Sequence, residues 1–402
     1  MNSDNFKYQR KELELKALLE ITQAINENQS ESVLCEIFKF TCLVHLNIKS
    51  LLLYVAKDGD FEKRIQHGVK ASIPTIIPAS QVKDEKSNGK LRLELAEGFS
   101  FEELETYLPV YHKERILAIL LLKRKDTSEE LDLNFTQALS NILVVALENK
   151  RFARKQLEQE VLNREVAIAS NVQQMLFPAS LPYTEHLKAK VTYFPFRQVG
   201  GDYYDLIIKN DKTYFCIADV SGKGISASLL MSNFQAALRT LLRSNASMET
   251  VIHQLNSTLY ENTKGDRFIT FFLGCYRAST GTLTYANAGH NPPLLCLPNT
   301  KDCQELNAGT TILGGFEKLP FLEIETLENV DDFYLHMYTD GLTEALDADD
   351  QEYGEERLKA FVTQNRELDP KEFHTKFMKE VKSFTGNIPL RDDLTMLSLK
   401  IQ

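Results

Sequence analysis

The 402-residue sequence has no apolar run that approaches the roughly 18 residues of a membrane-spanning helix. Its first residues, MNSDNFKYQRKELELK, lack the apolar core of a signal peptide. An excess of positive charge is absent too: 46 basic and 56 acidic side chains give a net charge of -10, which disfavours a nucleic-acid partner. We therefore expect a cytoplasmic protein whose partners include neither a membrane nor a nucleic acid.

Cysteine pairs of the C-x-x-C type are also missing. The six cysteines are scattered, most of them in apolar surroundings, which indicates reduced thiols used as small hydrophobic side chains. The histidines give none of the spacings of a zinc site. The rest of the composition is ordinary for a soluble globular protein: 43% hydrophobic and 25% charged residues, in a chain long enough for two or three domains.

Residues 10–150 have the pattern of one α+β domain. An amphipathic helix is predicted over KELELKALLEITQAINE, a second helix follows the potential cap Ser30, and strand-like runs SLLLYVA, FEKRIQHG, LRLEL and RILAILLLKR come next. The helix of LDLNFTQALSNILVVALENK closes the unit. This order of elements resembles a GAF-like sensor domain, and the resemblance implies a small ligand or activator bound there.

Residues 151–182 form a predicted helical linker. The pattern is that of a charged helix, and Pro178 and Pro182 end it. Apolar residues follow one stripe, but the heptads are too few and too irregular to decide its role. A solvated connector and a coiled-coil-like contact between two copies of a homodimer both remain open.

Residues 183–402 alternate short β-rich runs with Gly, Asn and Asp turns. Helical patterns lie between them at about 224–243, 247–262, 354–365 and 370–384. Many strands and few helices predict a layered α+β domain with stacked sheets.

The segment IADVSGKGISASLLM places a tight glycine turn between an apolar run and a helical pattern. A nucleotide P-loop needs G-x-x-x-x-G-K-[ST], and the first glycine of that motif is absent here. The turn therefore serves to present Asp219, which ends the apolar run, and does not cradle a nucleotide.

Acids occur repeatedly in such positions: Asp202 in VGGDYYD, Asp219, Asp340 in MYTDG, and the pair Asp392 and Asp393 in RDDLT. A single acid at a strand end is most often a turn former. Four such segments at one sheet edge would make a dense negative cluster, which is costly unless cations neutralise it. Oxygen ligands without histidine or cysteine favour magnesium or manganese.

The motifs VGGDYYD, ADVSGKG, NAGHNPP, YTDGLTEA and RDDLT, in this order, resemble those of PPM-type serine/threonine phosphatases of the SpoIIE-like (RsbU-like) bacterial branch. The resemblance implies a β-sandwich flanked by helices, with two Mn²⁺ or Mg²⁺ ions at one edge. It also implies that these ions activate a water that hydrolyses phosphoserine or phosphothreonine. Sensor domains of the GAF type commonly precede this unit, and the implied substrate is a phosphorylated anti-sigma-factor antagonist of the STAS type.

The same resemblance assigns the ligands. Asp219 bridges both metals and, with Asp202, is the catalytic centre; the Val220 carbonyl and Asp202 serve the second metal, and Asp340 and Asp392 complete the first.

The resemblance places Asp393 beside these ligands as a hydrogen-bonding neighbour of Asp392, although either acid of the pair remains a candidate ligand. Gly201, Gly222 and Gly341 are interpreted as positions where glycine allows a positive φ or a close approach of the backbone to its neighbours.

Three further residues are candidates for substrate binding. Arg197 has the guanidinium geometry that suits phosphate, although a surface arginine is the more common case. Lys223 is either a phosphate contact or a solvated turn lysine. His290 in NAGHNPP is interpreted as structural in preference to a general acid.

Two other functions compete with the phosphatase. VGGDYY resembles the GGDEF motif of cyclic-dinucleotide synthases, but that motif does not explain the other four segments. A non-catalytic sensor scaffold is the stronger alternative, and the intact acids argue against it. For the phosphatase, the helix after the Asp219 turn and the linker predict control by the N-terminal domain.

Overall fold

The structure is a computed structural model that describes residues 2–69, 73–85, 90–93, 104, 106–112, 115–126, 132–298 and 300–402. The chain forms two compact units, Met1–Glu160 and Val161–Gln402. Within the described ranges, no helix combines the length and the hydropathy that a membrane crossing requires.

The first unit begins with two helices, α1 (Asn2–Asn26) and α2 (Glu31–Val44). The predicted cap is confirmed, because the Ser30 side chain accepts a hydrogen bond from the Val33 backbone amide at 3.3 Å. The strands that follow are β1 (Ile48–Lys57), β2 (Asp60–His67), β3 (Ile76–Ile77), β4 (Val82–Glu85), β5 (Lys90–Leu93), β6 (Thr106–His112) and β7 (Arg115–Arg124).

Five of these strands form one antiparallel sheet in the order β3-β2-β1-β7-β6, and β4 pairs with β5. The central strands are buried on both faces, which explains the nearly unbroken apolar runs of β1 and β7. The helices pack on one face through residues such as Ile21, Phe38 and Leu143. Residues 94 and 95 of the predicted strand LRLEL lie outside the described ranges, and the resemblance to a GAF domain stays a prediction.

The predicted closing helix and linker helix are one continuous helix, α3 (Leu133–Gln174). It ends shortly before Pro178, as the sequence predicts. From residue 151 onward most of its side chains are exposed, including the apolar side chains of Phe152, Leu157, Val161, Leu162, Ile168 and Val172.

The second unit consists of two antiparallel sheets and flanking helices. Its elements are β8 (Leu187–Phe194), β9 (Tyr203–Lys209), β10 (Lys212–Val220), α4 (Ile225–Arg243), α5 (Met248–Thr263), β11 (Ile269–Arg277), β12 (Thr282–Ala288), β13 (Leu294–Cys296), β14 (Gln304–Glu305), β15 (Gly309–Thr310), β16 (Glu325–Leu327), β17 (Phe333–Tyr338), α6 (Asp340–Thr343), α7 (Glu355–Asn365), α8 (Pro370–Thr385) and β18 (Leu394–Ile401).

The first sheet has the order β15-β12-β11-β10-β9, with β16 on β12, and the second has the order β14-β13-β17-β18-β8. Their inner faces share one core that contains Phe215, Leu335 and Leu397. Side chains of α4 and α5 join this core from outside the first sheet. Alternate residues of β17 and β18, such as Tyr338 and Met396, pack outward with residues of α7 and α8. This helix-flanked sandwich confirms the predicted α+β fold of the C-terminal part.

The prediction that all six cysteines are reduced is wrong for two of them, because Cys296 and Cys303 form a disulfide. In the β13–β14 hairpin, Leu294 pairs with Glu305 and Leu295 with Gln304, so the next position brings the two cysteines opposite each other. Their Cα atoms are 4.3 Å apart. Two cysteines seven residues apart form no recognisable sequence motif. They can form a disulfide here because the register of the hairpin brings them together.

Candidate active site

Five acids from four segments lie at one end of the two sheets. Asp202 directly precedes β9, Asp219 is the penultimate residue of β10, and Asp392 and Asp393 directly precede β18. Asp340 does not end its strand as predicted: β17 ends two residues earlier, and Asp340 is the first residue of the short helix α6.

Strand pairing explains why these segments meet. β9 and β10 are antiparallel neighbours, so the start of β9 lies beside the end of β10. β17 and β18 are antiparallel neighbours in the other sheet, so the start of β18 lies beside the end of β17. The sandwich thus brings together acids that are up to 191 residues apart in the sequence.

Asp202 is buried and is held by two threonines of the opposite sheet. The Thr339 hydroxyl donates to its Oδ2 at 2.8 Å, and the Thr395 hydroxyl donates to the same oxygen. The Thr395 amide donates to the Thr339 hydroxyl at 3.0 Å, which ties the two threonines together. Burial, followed by the charge of the neighbouring Asp219, raises the pKa of Asp202 well above its usual value.

The acids repel one another. Burial raises the pKa of Asp219, and the charges of Asp340, Asp392 and Asp393 raise it further. The pKa of Asp340 is also raised, first by burial and then by the charge of Asp392. The cluster therefore opposes full ionisation of its own members and favours any cation that enters it.

The last two acids have different contacts. Both oxygens of Asp393 accept backbone hydrogen bonds, Oδ1 from the Phe196 amide at 2.7 Å and Oδ2 from the Gly201 amide at 2.6 Å. Asp392 accepts from the Asp393 amide through Oδ1 at 2.8 Å and forms an ion pair with Lys223 through Oδ2 at 2.7 Å. Asp393 thus fixes the loop that leads to Asp202.

Glycine is required at two positions around these acids. Gly222, in the turn after Asp219, has a φ of +96°. A Cβ at Gly341 would lie 2.1 Å from the Asp393 carbonyl oxygen, so the start of α6 can approach β18 only without a side chain there.

The sequence of this unit matches a known family. Residues 209–402 match the family described as Stage II sporulation protein E (SpoIIE). This part is just under half of the chain. It is similar to the phosphoserine phosphatase RsbU of Bacillus subtilis (strain 168), with 32% identity over 187 residues that cover 46% of this chain and 55% of the relative.

A second relative is Protein IcfG of Synechocystis sp. (strain ATCC 27184 / PCC 6803 / Kazusa), with 26% identity over 278 residues, 62% of this chain and 43% of that protein. The chain spans about half the length of the curated relatives it matches. The solved SiaA-PP2C domain of Pseudomonas aeruginosa aligns with a TM-score of 0.54 at 18% identity, over 61% of this chain and 99% of that domain. The second unit therefore shares the PP2C fold.

The structure places the three candidate substrate residues differently. Arg197 is exposed and its guanidinium carbon lies 5.7 Å from the centre of the Phe196 ring. Lys223 contacts Asp392 and also lies over Phe196. His290 is enclosed: its Nδ1 shares a hydrogen bond with the Thr270 hydroxyl at 2.8 Å, and burial lowers its pKa to about 4. This arrangement favours the structural interpretation of His290.

Sequence reasoning missed the residues that hold the acids. Thr339 and Thr395 lie within the motifs YTDGLTEA and RDDLT, but nothing in the residue pattern assigns them a role. Glu344 is a further acid near the site, since its pKa is raised by burial and by the charge of Asp340.

The donor chemistry fits hard divalent cations. The acids and the Val220 carbonyl offer oxygen atoms alone, and a lysine ammonium group already contacts one of the acids. No three His, Cys, Asp or Glu side chains among the described residues are arranged as a formed metal shell. The acids are neighbours whose side chains would have to turn toward an ion.

Proposed function

We propose that this chain is a metal-dependent protein serine/threonine phosphatase that hydrolyses phosphoserine or phosphothreonine with a metal-activated water. The observation that carries the proposal is the meeting of five acids from four segments; the pKa values of four of these acids are raised by burial and by the charges of other acids in the cluster. Such a cluster needs cations for stability. The similarity to a relative named phosphoserine phosphatase supports the reaction.

The residues that would hold two cations are Asp202, Asp219, Asp340 and Asp392, together with the Val220 carbonyl. Bound Mn²⁺ or Mg²⁺ ions supply a water that ionises near neutral pH and positive charge that offsets the phosphoryl oxygens.

The remaining residues position this set. Thr339 and Thr395 fix the orientation of Asp202, and Asp393 fixes the loop of Phe196 and Gly201. The exposed guanidinium of Arg197 is available to a substrate phosphate. We propose a phosphorylated STAS-type antagonist as the substrate, on the strength of the family resemblance.

Control by the N-terminal unit is part of the proposal. Within the second unit, the Gln173 side chain near the end of α3 donates to the Gly200 carbonyl at 2.7 Å and accepts from the Gly200 amide at 3.3 Å. Gln235 of α4 donates to the Leu176 carbonyl at 3.1 Å. The end of α3 is thereby connected both to the loop before Asp202 and to the helix after the Asp219 turn.

A ligand at the N-terminal unit and a homodimer complete the proposal. The first unit has a cleft of about 300 Å³ lined by Arg64, Arg151 and Arg154 among others, where a small ligand would fit. The exposed apolar side chains along α3 support a contact between two copies of the helix. We interpret the first unit as a GAF-like sensor domain.

Hydrolysis of a small aryl phosphate tests the function. The full chain should release phosphate when Mn²⁺ is added, and the release should stop when a chelator removes the Mn²⁺. A non-catalytic sensor scaffold, the alternative, would show no metal-dependent release. Phosphoproteins from the same cell, offered as substrates in the same assay, would identify the physiological target.

A further inference from the structure

Lys223 is the basic side chain nearest to the acid cluster. It lies in the Ser-Gly-Lys-Gly turn after Asp219, and its Nζ is 2.7 Å from Asp392 Oδ2 and 2.8 Å from the Arg391 carbonyl oxygen. In the part of the chain that the structure describes, the other four acids of the cluster have no basic group within salt-bridge distance.

The oxygen that Lys223 occupies is the one a metal would need. Asp392 Oδ1 accepts the backbone amide of Asp393, so Oδ2 is the oxygen left for a ligand bond. A divalent cation binds a carboxylate oxygen at about 2.1 Å. An ammonium group 2.7 Å from the same oxygen would then face that cation at close range, and like charges so near each other repel strongly.

While it contacts Asp392, Lys223 also lies near an aromatic ring. Its Nζ is 5.3 Å from the centre of the Phe196 ring, within the range of a cation–π contact. Phe196 is fixed by the hydrogen bond of its amide to Asp393, and Arg197 lies over the same ring. The ammonium group can therefore leave Asp392 and keep a favourable contact at the rim of the site.

We propose that Lys223 is a built-in counter-ion that competes with a metal ion for Asp392: it neutralises Asp392 in the metal-free enzyme and is displaced to the Phe196 rim when the ion binds. This inference rests on the proposed function, because it requires that the acids bind divalent cations. It assigns Lys223 as a positioning residue of the metal site, and its release places a positive charge where a substrate phosphate would arrive.

Mn²⁺ binding to the full chain tests the competition. Free Mn²⁺ is measured by its electron paramagnetic resonance signal during titration of the wild type and of Lys223→Met, which removes the charge and keeps the stem. We expect the dissociation constant of one Mn²⁺ to fall at least about threefold in the variant, because the Lys223 ammonium group no longer competes with Mn²⁺ for Asp392. Lys188→Met is the matched control, since Lys188 also pairs with an aspartate, Asp369 at 3.3 Å, and also lies over an aromatic ring.

Amine labelling of the wild type shows whether Lys223 leaves Asp392 when Mn²⁺ binds or only contributes a positive charge near the ion. Mass spectrometry should show that Mn²⁺ increases the labelling of Lys223 and leaves Lys188 unchanged. An unchanged or larger dissociation constant in Lys223→Met, or labelling of Lys223 that does not respond to Mn²⁺, would overturn the inference. If the wild type binds no Mn²⁺ at all, the proposed function fails together with it; if it binds Mn²⁺ and hydrolyses phosphate, a negative result removes only the role of Lys223.

Discussion

Two threonine hydroxyls determine how Asp202 is held between the sheets. Thr339 and Thr395 both donate to Asp202 Oδ2. Hydrogen bonds of this kind orient a ligand and typically affect metal affinity or activity by 10- to 100-fold.

Replacing Thr395 with valine should therefore weaken the second metal site. Thr395→Val keeps the shape of the side chain and removes the donor, so we expect a loss of roughly 10-fold or more in kcat/KM and a higher Mn²⁺ requirement. The assay is aryl phosphate hydrolysis over a Mn²⁺ titration. Thr284→Val is the control, because Thr284 makes its hydroxyl contact to Thr326 on an exposed strand pair. Equal kinetics for the two variants would contradict the assigned role of Thr395.

At the scale of elements, a buried polar network joins α8 to the second sheet. The Ser398 hydroxyl contacts His336 Nδ1 at 2.8 Å and His374 Nε2 at 2.9 Å, and His374 Nδ1 contacts the Thr192 hydroxyl at 2.6 Å. Burial lowers the pKa of His336 and of His374 to about 3. Both rings are therefore neutral in the folded protein.

This network predicts acid sensitivity of the second unit. A histidine whose folded pKa is lowered stabilises the fold above its unfolded pKa of about 6.5, and that stability is lost as the pH falls toward 3. Between pH 7 and pH 5 each of the two should cost about 2 kcal/mol in the free energy of unfolding. Denaturant titrations at both pH values measure this loss. His374→Gln should reduce the pH dependence, whereas substitution of the exposed His253 by Gln should not; an unchanged pH dependence in His374→Gln would disprove the effect.

The elements were largely predictable from the sequence, and the contacts between them were not. The helices α4, α5, α7 and α8 begin and end within one residue of their predicted bounds, because an amphipathic 3.6-residue period defines them. The chemistry of the acids was visible because each follows or precedes an apolar run. The pair Lys223–Asp392, the two threonines on Asp202 and the Cys296–Cys303 disulfide depend on strand register and sheet packing, which no local pattern encodes.

At the scale of the whole molecule, the proposed control by the first unit predicts a difference between the full chain and its second unit. A fragment that begins at Tyr183 would lose Gln173 and also Phe177, whose ring stacks on Tyr204 at 4.8 Å. A fragment of Val161–Gln402 keeps both residues. We expect this fragment and the full chain to differ in the Mn²⁺ concentration for half-maximal hydrolysis, because α3 contacts the loop before Asp202. Identical rates and Mn²⁺ requirements would leave the first unit without a regulatory role.

The most direct test of the phosphatase assignment is Mn²⁺-dependent hydrolysis by Asp219→Asn in the full chain. The control is Asp211→Asn, at the other end of the same strand pair, where the carboxylate is exposed and accepts from the Ser279 hydroxyl at 2.7 Å. If Asp219 bridges two metals, the first variant should remain folded and lose about 100-fold or more of its rate, together with Mn²⁺ binding, while the control keeps both. An Asp219→Asn enzyme that retained more than about a tenth of the wild-type rate would contradict the account.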